Sequence, residues 1–187
     1  MNKLRLSAIL LFFAFIAFIV QSCNKDSVTA VAFTTAPIQA NIDGATWSPD
    51  TTSLAIIFNT ASATKTLSFT GQKNTRQVLF SVTLPNINST GFPLNTYNID
   101  AAAVTAQYNT QVLTSGSYVF TQQGTVASGA GNIAVTAIDS VKKQITGTFT
   151  FYSRSTIYDG SGNIISTTVH NITAGEFTNV PYTYTTN

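Results

Sequence analysis

The strongest constraint on the fold of this chain is a period of two. From Gln144 to Tyr152 it alternates Ile145, Gly147, Phe149 and Phe151 with Thr146, Thr148 and Thr150. A strand turns successive side chains to opposite faces, so this pattern sets an apolar face against a core and a threonine face outside. Lys65 to Thr70 alternates in the same way, and Gln77 to Leu84 sets Val78, Phe80, Val82 and Leu84 on one side. Turn signals separate these runs: Asp43-Gly44, Ser48-Pro49-Asp50, Pro85-Asn86, Ser115-Gly116, Gly129-Ala130-Gly131-Asn132 and Asp159-Gly160-Ser161-Gly162-Asn163. Short strands punctuated this often predict an all-β domain, a single antiparallel β-sandwich with a β-barrel as the alternative. No segment after Cys23 sustains a helical period. The Ala-rich stretch from Asp100 to Gln107 is where a turn or a single helical element fits.

The ends of the chain read differently. Lys3 and Arg5 precede an apolar run from Leu6 to Val20 that closes on Gln21-Ser22-Cys23. Basic, then apolar, then small is the order of a signal peptide. A membrane-crossing helix needs roughly 20 apolar residues, and this run is shorter. Cys23 is the only cysteine. It stands where a lipobox places its thiol, although Val20 and Gln21 depart from the commoner Leu and Ala or Ser. The reading is therefore a lipoprotein signal peptide over 1–22, an acylated Cys23 with a flexible tether over 23–36, and an all-β domain over 37–187. Acyl chains of the palmitate kind contribute roughly 0.8 kcal/mol per buried CH₂, which makes such an anchor effectively permanent. At the other end, Tyr182 and Tyr184 alternate with Pro181 and Thr183 as a final edge strand would.

Removing the leader changes the electrostatics. Of nine Lys and Arg, two lie in the leader, and the seven that remain match seven Asp and Glu. The mature chain carries no net side-chain charge, so it has no electrostatic footprint for nucleic acid. The 165 residues left suffice for one domain. With no second cysteine there is no internal disulfide, and the core alone must hold the fold.

Several of these segments resemble a known family. Ile42-Asp43-Gly44 followed by Trp47, Gly129 to Ile133 before Val135-Thr136, Ile145-Thr146-Gly147-Thr148-Phe149 and Gly175-Glu176-Phe177 are similar to the Bacteroidetes lipoproteins of unknown function of the DUF6252 type. The resemblance implies a secreted, β-rich lipoprotein domain and transfers no catalytic residue.

Residues suited to catalysis are sparse. His170 is the only histidine, so any Ser-His-Asp arrangement or His-based metal site rests on it, and it falls in a strand-like run. Asp43, Asp50, Asp139 and Asp159 occupy turn contexts, where Asp bonds its own backbone. Asp100 and Glu176 lie outside obvious turns. Asp159 to Asn163 spaces oxygens like part of a calcium loop, but it has one carboxylate where such a site wants several. No metal or other cofactor is expected. Trp47 is the candidate ligand-binding residue: on a loop its flat ring would face a ligand, whereas in the preferred reading it plugs one end of the core. Asp26-Ser27, Asp50-Thr51 and Asp139-Ser140 resemble the Asp-Ser/Thr acceptor of Bacteroidetes periplasmic O-glycosylation, which makes Ser27, Thr51 and Ser140 candidate sites.

The expected function is that of a membrane-anchored envelope lipoprotein whose β-domain is no enzyme but binds glycan or protein as an accessory factor. A cryptic hydrolase using carboxylates such as Asp100 and Glu176 is the alternative. The expected place is the outer membrane, lipid-anchored and facing the periplasm or the cell surface. The partners are the bilayer, through Cys23, and a glycan or envelope protein, with no nucleic acid.

Overall fold

A computed structural model describes residues 37–85 and 91–187. The leader, Cys23, Ser27 and the tether lie outside the described residues. Twelve strands account for the architecture, and no helix occurs among the described residues. They are β1 (Ile38–Ile42), β2 (Ala45–Trp47), β3 (Thr51–Asn59), β4 (Thr64–Lys73), β5 (Arg76–Pro85), β6 (Asn95–Asn98), β7 (Val104–Thr114), β8 (Ser117–Gln122), β9 (Gly131–Asp139), β10 (Gln144–Tyr158), β11 (Ile164–Pro181) and β12 (Thr183–Thr186).

Two six-stranded sheets form, in the orders β2-β1-β11-β10-β9-β6 and β12-β3-β4-β5-β7-β8. All pairs are antiparallel except β12 with β3, which is parallel. The edges β2, β6 and β12 are only three or four residues long. A barrel needs a continuous ladder with a fixed stagger around its whole circumference. Here the two sheets remain separate, each with two edges, and the β-sandwich is what forms.

The expected alternation is what builds the core. Ile145, Gly147, Phe149 and Phe151 of β10 are buried, as are Leu67 and Phe69 of β4 and Val78, Phe80 and Val82 of β5. The rings of Phe69 and Phe80 stack with centroids 4.7 Å apart, and Phe149 reaches across the sandwich to Phe80 at 5.4 Å. Phe177 completes the group, 5.9 Å from Phe80. These rings come close because glycine lies beside them: a Cβ on Gly175 would stand 2.6 Å from the Phe149 ring. The Ala-rich stretch forms no helix. Asp100 instead accepts hydrogen bonds from the Ala102 and Val104 N–H groups through Oδ1, closing a turn that feeds β7. The last strand, β12, is the edge strand expected around Tyr184.

The sandwich has two unlike ends. At the lower end are the β3–β4 and β9–β10 turns, and Pro37 lies beside lower β11, its carbonyl accepting from Thr178 N–H at 2.8 Å. At the upper end β1 pairs with β11 only as far as Ile172, and β9 with β10 only as far as Phe151. The β10–β11 hairpin continues upward beyond these ladders, where the Thr125–Arg154 bridge joins it. At roughly 3.3 Å per strand residue, Ile164 lies about 45 Å above Thr178. The β7–β8 hairpin likewise runs past the end of β5, whose last partner in β7 is Thr110.

Candidate functional site

The polar residues of interest gather at the upper end of the sandwich. Asp43 and Gly44 both take positive φ, 53° and 80°. That is the two-residue hairpin turn for which an Asp-Gly pair is suited. It joins β1 to β2 and presents Asp43 to β11. Asp43 Oδ1 accepts from Asn171 N–H and Oδ2 meets His170 Nδ1, each at 2.8 Å. Burial alone would raise the Asp43 carboxyl. The hydrogen bonds from His170 and Asn171 N–H, with the charges of His170 and Arg76, outweigh it and hold the group below its usual range. The His170 ring packs against Tyr108 of β7 at 5.1 Å, and burial pushes the Tyr108 hydroxyl up. His170 is therefore a half-buried cross-strand histidine that ties the β1–β2 turn to β11 and touches the opposite sheet.

Ser153 stands opposite His170 in the β10–β11 register. Serine, histidine and aspartate thus meet here, but they do not form a working triad. Ser153 is 0% exposed and its Oγ has no hydrogen-bond partner, His170 included. A nucleophile needs both a base within hydrogen-bond reach and access to a carbonyl.

Trp47 is not on a loop. It lies in β2, 2% exposed, as part of the core. Its seat exists because Gly71 has no side chain, since a Cβ there would stand 2.8 Å from Trp47 Cη2. The indole N–H is buried without an acceptor. One side of Trp47 borders a cavity of about 180 Å³, shared with Thr46 and with the β4–β5 turn residues Lys73, Asn74, Thr75 and Arg76.

The two carboxylates set aside for hydrolysis are not brought together. Asp100 closes the turn before β7, where backbone N–H bonds from Val104 and Ala102 outweigh desolvation and hold its carboxyl low. Glu176 is on the outer face of β11, accepts from Gln39 Nε2 at 3.3 Å, and lines a separate shallow cavity with Gln39, Ala40, Asn41, Thr46 and Ala174. The reading of Asp100 as lying outside a turn is corrected: it is a turn-capping residue. Asp159 is also a turn residue, accepting from Ser161 N–H, Asn163 N–H and the Asn163 side chain. Thr51 and Ser140 are both exposed, at the start of β3 and in the β9–β10 turn.

Two features were missed in the sequence. Lys65 is 1% exposed, its ammonium donating to the Gly91 carbonyl at 3.0 Å, and burial lowers its pKa. Lys73 and Arg76 stand directly opposite each other across the β4–β5 turn. The signal for that pair was present: two cations three apart flank Asn74-Thr75, between two runs of period two.

The fold and the upper-end cluster define a two-sheet β-sandwich with a polar notch between its turns and two long hairpins above it. The family model described as a domain of unknown function (DUF6252) matches residues 34–181, and the chain belongs to that family. Comparison with curated proteins and with solved structures gives no match.

Proposed function

We propose that this chain is a membrane-anchored envelope lipoprotein whose sandwich binds a glycan or a protein as an accessory factor and catalyses no reaction. The leader and the solitary Cys23 support the anchor. A single structural observation supports the binding role: the upper hairpins expose large uncharged side chains. Val112, Leu113, Tyr118 and Val119 are 43–69% exposed on one hairpin, and Tyr152, Ile157, Tyr158, Ile164, Ile165 and Val169 are 43–65% exposed on the other. Apolar side chains gathered outside a core mark surfaces that meet something other than water.

Two measurements test the proposal. Mass spectrometry should find an acylated N-terminal Cys23, and Cys23→Ser should move the protein out of the membrane fraction. Glycan arrays and cross-linking in intact cells should give a ligand that is lost in a Tyr118→Ser/Ile165→Ser variant. Ester or glycoside hydrolysis abolished by Asp100→Asn or Glu176→Gln would overturn the proposal in favour of the hydrolase.

A further inference from the structure

The β4–β5 turn makes an arrangement that stability alone disfavours. Lys73 and Arg76 are cross-strand partners, and each continues the inward-facing row of its strand, after Leu67, Phe69 and Gly71 in β4 and before Val78 and Phe80 in β5. Both are half-buried. Like charges directly opposite in a sheet repel, and partial burial strengthens the repulsion by removing water. A carboxylate would relieve it, yet neither cation makes an ion pair among the described residues. Asp43, whose field reaches Arg76, has both oxygens engaged by His170 and Asn171.

The two cations face a cavity whose walls are rich in donors. Besides Lys73 and Arg76 it is lined by Thr46, Trp47, Asn74 and Thr75, with no carboxylate among them. Trp47 forms part of the wall, and its indole N–H is itself fully buried. At about 180 Å³ the space is smaller than the roughly 300–1,000 Å³ of ordinary ligand pockets. It suits one compact group of a larger molecule. Arg supplies a planar fork for carboxylate or phosphate, and Lys a point charge beside it.

We infer that the cavity between Trp47 and the Lys73–Arg76 turn is an anion subsite that takes a carboxylate or phosphate group of the ligand. The inference rests on the domain being a ligand binder and adds the chemistry of what it binds. The occupant neutralises the paired cations, which is why the fold keeps them facing inward.

Trp47 is the only tryptophan, so its emission reports on the cavity directly. The full chain in non-ionic detergent is titrated at constant ionic strength with glucuronate, inorganic phosphate and neutral glucose. Saturable change with one or both anions and none with glucose is the expected result. A stronger response to glucuronate points to an acidic sugar as the source of the group, and a stronger response to phosphate points to a phosphorylated one. Lys73→Gln and Arg76→Gln should each weaken the anion response at least tenfold, while Lys142→Gln, on the lower β9–β10 turn, should leave it unchanged. Without ligand, Lys73→Gln should melt at or above the wild-type temperature because repulsion is removed. Responses equal for glucose and the anions, or unchanged in both variants, overturn the inference, as does a lower melting temperature for ligand-free Lys73→Gln. A ligand captured through the hairpins while both anions leave Trp47 silent overturns the anion subsite and leaves the binding role standing. Silence in every assay removes both.

Discussion

One strand passes through two environments. In its lower half β10 places Phe149 against Phe69, Phe80 and, across the register, the Gly175 backbone, and Phe149 is 1% exposed. In its upper half the same strand carries Ile157, which faces the same side of the sheet and is 57% exposed. Both are apolar and both sit in regular strand. The difference lies in what covers them: β4 and β5 lie opposite Phe149, whereas β10 at Ile157 has outrun β9 and β1. The sandwich therefore stores its stability in the middle and leaves the upper end to other demands. Exposed hairpins, the Asp43–His170 tie and the paired cations all occur there.

The largest way to break this comparison is to empty the middle. Phe149→Ala should cost about 3–5 kcal/mol, the lost transfer of a large ring plus the cavity left among the remaining aromatics. That is a major share of the roughly 5–15 kcal/mol that holds an ordinary domain together. Thr148→Ala, one residue away on the exposed outer face, should cost well under about 1 kcal/mol. Urea melts of the two variants decide it, and equal losses would mean that both faces of β10 are covered.

A second, smaller effect links the middle to the upper notch. Gly71→Ala puts a methyl where Trp47 Cη2 and Phe69 Cζ already stand at 2.8 Å. Overpacking of this kind costs about 1–3 kcal/mol. Trp47 should yield, so its fluorescence maximum should move red along with the loss of stability. An unmoved spectrum would place the strain on Phe69 alone.

The middle was legible in the sequence because its information is local. Period two in Gln144 to Tyr152 and Gln77 to Leu84 names the buried face without knowledge of neighbours, and Asp-Gly names the β1–β2 turn. The upper end was not legible, because its features depend on pairs far apart. Asp43 meets His170 across 127 positions of sequence, and nothing near either residue announces the other. Trp47 was ambiguous because its burial depends on Gly71 in the opposite sheet. Asp100 was misjudged because Ala-rich sequence hid a turn that its own carboxylate closes. The Lys73–Arg76 pair was the one long-standing clue, since a two-residue turn between alternating runs fixes the register by itself.

Acid offers a third test, smaller again. Asp43 is held below its usual pKa in the folded state, so the folded protein takes up its proton later than the unfolded chain does. The resulting stability is fully present above the unfolded value of about 3.9 and is lost as pH falls through the lower, folded value. Asp43→Asn should therefore flatten the stability profile below about pH 4 and change little at pH 7 beyond a partly exposed pair worth at most about 1 kcal/mol. Melts between pH 2.5 and 7 check the sign: a variant that loses stability in acid as steeply as the wild type would show that the tie at the β1–β2 turn contributes nothing there.

The smallest expected effect is the sharpest, because it concerns the residue that matches Phe149 in kind and differs in place. Ile157→Ala removes a branched apolar side chain from the penultimate position of a fifteen-residue strand. If apolar chemistry alone set the cost, the loss would approach the roughly 2–5 kcal/mol of a buried Ile→Ala change. With 57% of the residue in water, the change should stay within about 0.5 kcal/mol, as surface substitutions do. Ligand capture should respond instead, since Ile157 belongs to the exposed hairpin surface. Stability held and binding weakened is the result that separates the two halves of β10. A loss near that of Phe149→Ala would mean that the upper hairpin is covered in solution, by the β7–β8 hairpin closing over it, and that the open end is not open.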